Sequence, residues 1–63
     1  MKTKHDRYIM TILKDSGELT KLYYNEKLNV YKELNKENKT IWYWVGMGLN
    51  EVISAYSHCL TTK

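Results

Sequence analysis

Sixty-three residues with ten Lys/Arg against seven Asp/Glu, a formal net charge of +3 and a single cysteine describe one small, mildly basic domain, residues 1–63. One cysteine excludes an internal disulfide, and no run of about eighteen apolar residues is present to span a membrane. The charged start "MKTKHDRY" lacks the apolar core of a secretion signal, and a lone thiol suits a reducing compartment, so the expected location is the bacterial cytoplasm.

In chain order, residues 1–6 are polar and expected to be flexible. "RYIMTILK" (7–14) and "ELTKLYYN" (18–25) flank "DSG" and read as a β-hairpin, with Gly17 in the left-handed position of a three-residue turn. That loop sets Lys14 opposite Glu18, Ile12 opposite Thr20, Met10 opposite Leu22 and Tyr8 opposite Tyr24 on one face. Leu13 with Leu19 and Ile9 with Tyr23 fall on the other.

"NEKLNVYKELNKENK" (25–39) reads two ways. As a helix, Asn25 caps it, Glu26 suits its first turn, and Leu28, Val30, Tyr31 and Leu34 share an arc. As a strand, Leu28, Val30 and Leu34 share one face and "NKENK" turns the chain. The helix over 26–37 is preferred on propensity, since Glu, Lys and Leu dominate. "TIWYWVGM" (40–47) is a strand by its β-branched and aromatic content, with Gly46 and Gly48 turning the chain after it. "LNEVISAYSHCL" (49–60) is read as an amphipathic helix, with Leu49, Val52, Ile53, Tyr56 and Leu60 on one stripe. The expected fold is therefore α+β: a small antiparallel or mixed sheet of three to four strands with a C-terminal amphipathic helix. ββαβα is favoured and ββββα is the alternative.

In a strand over 40–47, Trp42 and Trp44 point to one face and Ile41, Tyr43 and Val45 to the other. One C-terminal helix covers only one of these faces. The other is expected to be an interaction surface, and small size adds a second reason to expect a homodimer. Trp42, Tyr43, Trp44, Met47 and Tyr23 are the candidate anchors of that seam or of a partner protein, because aromatic residues and Met are enriched in interface cores.

Catalytic chemistry finds little footing. His58 and Cys59 are adjacent and point about 100 degrees apart on a helix, too far for one nucleophilic site. The carboxylates lack the apolar setting that tunes an acid–base pair. "GMG" at 46–48 has no phosphate-loop lysine. His5, His58 and Cys59 are too few for a closed zinc site, so no metal, cofactor or enzymatic activity is expected. "NKT" at 38–40 matches a glycosylation sequon by chance. Lys21, Lys27, Lys32, Lys36 and Lys39 interleave with Tyr23, Tyr24 and Tyr31, a pattern compatible with single-strand nucleic-acid binding. Glu26, Glu33 and Glu37 break that positive field, and Arg7 is the only arginine.

The absence of Pro and Phe beside many Lys, Asn, Ile and Tyr points to an AT-rich coding sequence, as in a low-GC bacterium or its phage. In size, composition and the hairpin "ILKDSGELTKLYY", the chain resembles small phage-encoded inhibitors of host proteins. That group includes anti-defence proteins such as the Hachiman inhibitor, and small inhibitors of uracil-DNA glycosylase. The resemblance implies stoichiometric binding and blocking of a host or defence protein. The glycosylase inhibitors are strongly acidic and mimic DNA; a basic chain does not fit that mechanism. A small nucleic-acid-binding regulator is the alternative function.

Overall fold

The computed structural model describes residues 3–62. Five strands and one short helix follow in the order β1 (Asp6–Leu13), β2 (Leu19–Asn25), β3 (Val30–Asn35), β4 (Thr40–Trp44), α1 (Leu49–Ser54) and β5 (Leu60–Thr62). The strands form one antiparallel sheet in the order β4-β3-β2-β1-β5, so four run as a meander and the last returns to the first. Both expected layouts, ββαβα and ββββα, are overturned.

The first hairpin closes through the Lys14 N–H on the Glu18 carbonyl at 3.0 Å, with Gly17 at φ 88°. Ile12 faces Thr20 and Met10 faces Leu22, as the three-residue loop requires. Between Tyr8 and Met10 the register shifts, and Tyr8 lies opposite Tyr23 rather than Tyr24. This bulge moves Ile9 to the face that carries Met10 and sends Tyr8 to the other. The expected flexibility of residues 1–6 falls partly on Met1 and Lys2, outside the described residues. Thr3 and Asp6 close a turn, the Asp6 N–H donating to the Thr3 carbonyl and the Thr3 N–H to Asp6 Oδ2.

The segment 26–37 is not a helix. Asn25 accepts the Leu28 N–H on its side chain and the Asn29 N–H on its carbonyl, each at 2.8 Å, and so closes a turn. Asn29 stands at φ 56°, a left-handed conformation that Asn tolerates better than most residues. The same device ends β3: Asn35 Oδ1 accepts the Glu37 and Lys39 N–H groups, and Asn38 sits at φ 62°. Two asparagine-closed turns thus bracket a six-residue strand, and the side-chain bonds that favour a helix cap serve turns equally well.

The C-terminal helix is also shorter than its periodicity suggests. It opens with Glu51 Oε1 accepting the Gly48 N–H at 3.2 Å. From Ala55 onward the backbone tightens into three-residue bonds, Ala55 to Val52, Tyr56 to Ile53, Ser57 to Ser54 and Cys59 to Tyr56. "SAYSHC" has little helix propensity to resist this. Leu60, expected on the helical stripe, instead starts β5 opposite Leu13. Val52 and Tyr56 join Met10, Ile12 and Leu22 in the core, with Ile9, Tyr31, Trp44, Met47, Leu49 and Cys59 packed around it. Full burial of aliphatic side chains such as Ile12, Leu22 and Val52 contributes about 1.5–3 kcal/mol each.

Candidate protein-binding surface

Strand register divides the sheet into a covered and an open face. Met10, Ile12, Leu22, Glu33 and Trp44 lie on the face that α1 and its following turns cover. The opposite face carries three rows across the strands: Leu60–Leu13–Leu19, then Thr62–Thr11–Lys21–Leu34–Thr40, then Tyr8–Tyr23–Lys32–Tyr43. Its centre is closed: Leu34, Tyr23 and Lys32 are buried between their neighbours. Its margins are not, for Leu13, Leu19, Leu60, Tyr8 and Tyr43 are all exposed. Among the described residues no secondary-structure element lies across this face.

Two polar clusters hold the sheet in this shape. On the open side, Lys32 Nζ lies 3.0 Å from Asp6 Oδ2, and Asn25 Nδ2 donates to Asp6 Oδ1 at 2.7 Å. Burial pushes the Asp6 carboxyl up, but the Thr3 N–H, the Asn25 amide and the Lys32 ammonium outweigh it and hold the group below its usual range. The Tyr43 ring lies 5.9 Å from the same ammonium, and Tyr8 meets Tyr23 edge-on at 5.9 Å.

On the covered side, Trp44 Nε1 donates to the Tyr56 hydroxyl at 2.9 Å. That hydroxyl donates to Glu33 Oε1 at 2.8 Å, and Lys14 Nζ lies 2.6 Å from Glu33 Oε2. Burial raises the Glu33 carboxyl, yet Lys14, Thr20 and Tyr56 together leave it below the usual range. The Tyr56 phenol is pushed up, first by burial and then by the Glu33 carboxylate, with the Trp44 bond acting the other way.

The five anchor candidates do not form one site. Tyr23 is only 4% exposed and serves as floor of the open face. Trp44 and Met47 are half-buried against the core. Trp42 and Tyr43 remain accessible, at 57% and 51%, but on opposite faces of β4. Trp42 stands edge-on to Trp44 at 6.0 Å and, with Ile41, Lys14 and Glu33, lines a shallow hollow on the covered side. Tyr8, Leu19 and Leu60 were missed as surface residues. Leu19 had a usable signal in its pairing with Leu13, whereas Tyr8 depends on the bulge and Leu60 on a strand pairing about fifty positions away.

The lysine–tyrosine interleaving is dispersed by the fold. Lys32 is buried in its ion pair, and the Tyr24 and Tyr31 rings meet at a 53° tilt with centroids 4.8 Å apart on the covered side. Lys27 lies in the turn at one end of the sheet, and Lys36 and Lys39 lie in the turn at the other. Among the described residues no group of three or more His, Cys, Asp or Glu is arranged to hold a metal ion. No helix among them is long and apolar enough to cross a membrane.

No family model, curated protein or solved structure matches this chain.

Proposed function

We propose that this chain is a non-enzymatic binding protein that acts by stoichiometric association with another protein, in the manner of a small phage-encoded inhibitor of a host or defence protein. The observation that supports this reading is the open sheet face, where Leu13, Leu19, Leu60, Tyr8 and Tyr43 are exposed together over a rigid floor of Tyr23, Leu34 and Lys32. Exposed apolar side chains at the margins of an uncovered sheet face, here a Leu13/Leu19/Leu60 cluster at one end and Tyr8 and Tyr43 at the other, are a feature of protein-interaction sites, and a floor fixed by a buried ion pair favours binding without large rearrangement.

The alternative, a nucleic-acid-binding regulator, draws less support because, of the interleaved lysines, Lys21 alone is exposed on the tyrosine-bearing open face, Lys32 is buried there in its ion pair, and Lys27, Lys36 and Lys39 lie in turns. Affinity capture from a nuclease-treated bacterial lysate tests the choice, using the wild-type chain beside a Leu13→Asp/Leu19→Asp variant. A protein retained by the first and lost from the second supports the proposal. Retention that disappears with nuclease, or that falls steeply with salt as phosphate binding does, favours the alternative.

A further inference from the structure

We infer that β4 is a self-pairing edge, through which two copies of this chain join their five-stranded sheets into one continuous ten-stranded sheet. The two edges of the sheet differ. β5 is a three-residue strand that pairs only with Thr11–Leu13, and short strands are a common protection of a sheet edge. Among the described residues β4 pairs with β3 on one side only and is the last strand in the order, so no strand lies along its outer side at Ile41–Trp44. From Thr40 to Asn50 the sequence carries no charged residue and no proline, the devices that keep edge strands apart. Only the bulge at Ile41 interrupts it.

A second copy fits this edge on two counts. The first is charge. Each chain carries +3, yet an antiparallel β4–β4 pairing brings no lysine opposite another. With the two-fold axis at Tyr43, Trp42 of one copy stands beside Trp44 of the other. The tryptophan pair on the covered face then extends into a four-ring ladder, an arrangement that stabilises cross-strand neighbours. The second is area. Ile41 and Val45 are 41% and 72% exposed. Taken with Trp42 and Tyr43, they give roughly 400 Å² per copy on the usual size of such side chains, or about 800 Å² for the pair. That is below the roughly 1,200 Å² of a stable interface and within the weak, reversible class, so the dimer forms and dissociates with concentration. Antiparallel partners share faces across the seam, so the two open faces become one surface on the same side of the dimer.

Sedimentation and small-angle scattering on the full chain test this, with Trp42→Lys, Val45→Lys and Leu60→Lys as variants. All three positions are exposed, and circular dichroism checks that each variant folds. Five strands at about 4.8 Å set the two centres about 24 Å apart, so the radius of gyration should rise to about 16 Å in the dimer, from 10.8 Å for the single chain. Trp42→Lys and Val45→Lys should each weaken the dimer at least about tenfold, and Leu60→Lys should leave it unchanged. The inference is overturned if the wild-type chain is monomeric up to about 200 μM. It is equally overturned if both β4 variants dimerise like wild type. Dissociation by Leu60→Lys, with a radius of only about 12–13 Å for the wild-type dimer, would place the seam on the open face instead.

Discussion

At the scale of single residues, the sequence reading was furthest from the structure where charge is buried. Asp6 belongs to the polar start and Lys32 to a row of lysines, and nothing in their local pattern marks them as partners. The sheet sets their strands two apart, and Asn25, opposite Asp6 on the strand between, completes the site. The Asp6 side chain is fully buried and that of Lys32 nearly so. Removing one member of a buried pair strands the other and costs about 3–5 kcal/mol. A core of this size rarely supplies more than about 3–5 kcal/mol in total. Lys32→Ala is therefore expected to unfold the chain at 25 °C, seen as loss of strand signal in circular dichroism. Asp6→Asn with Lys32→Met should recover most of the fold. A folded Lys32→Ala protein with an unshifted urea midpoint would show that the pair does not hold the sheet. The glycines after β4 give a second contrast. Gly46 stands at φ 72°, so alanine there costs about 1–2 kcal/mol, or a melting temperature lower by about 4–8 °C or more. Gly48 has ordinary backbone angles, and an added Cβ would meet Glu51 at a normal 3.6 Å. Gly48→Ala should melt within a degree or two of wild type, which separates the two positions by thermal unfolding.

At the scale of elements, legibility follows how local the determining interactions are. The β1–β2 hairpin was readable down to the residue pairs near its turn, because loop length alone sets that register. The bulge farther along was not, since no glycine or break announces it. β3 was misread because "NEKLNVYKELNKENK" is rich in helix formers, and the evidence against a helix lies in spaced asparagines rather than in propensity. Asn25 with Asn29 and Asn35 with Asn38 were the signal. The helical stripe at 49–60 was right for Leu49, Val52 and Tyr56, all of which face the core, and wrong for Leu60. Three residues at the end of a chain carry too little pattern to reveal a strand whose partner is β1. Of the anchor candidates, alternation along β4 placed Trp42 and Tyr43 on opposite faces, but it could not tell which face the helix would take. Tyr56 shows how the elements lock together, since its hydroxyl joins β4 through Trp44 and β3 through Glu33. Tyr56→Phe leaves both groups short of a partner at nearly constant volume. It should cost about 1–3 kcal/mol, read as a lower urea midpoint with an unchanged m-value. A midpoint equal to wild type would mean that the two groups find other partners.

At the scale of the whole molecule, the buried ionisable groups shape stability against pH from both sides. Asp6 and Glu33 are held below their ordinary values of 3.8 and 4.5. Between the folded and unfolded titrations the unfolded chain binds more protons, so stability rises with pH there. The contribution is complete above about pH 5 and is lost as pH falls through the ordinary values toward the depressed ones. Tyr56 works at the other end. Its phenol is raised above the ordinary 10.0, so the unfolded chain gives up this proton first, and stability falls as pH rises past about 10. The urea midpoint should therefore be flat from about pH 5 to 9.5 and decline on both sides. Asp6→Asn/Lys32→Met, which removes the buried pair whole, and Glu33→Gln should each make the acid limb shallower, whereas Tyr56→Phe should make the alkaline limb shallower and, by removing a hydrogen bond that lowers the Glu33 carboxyl, soften the acid limb as well. Glu33 and Tyr56 share one hydrogen-bonded cluster and each shifts the other, whereas Asp6 sits in a separate cluster on the open face. If the wild-type midpoint instead stays constant from pH 7 down to about 3, neither carboxylate is stabilised by the contacts described.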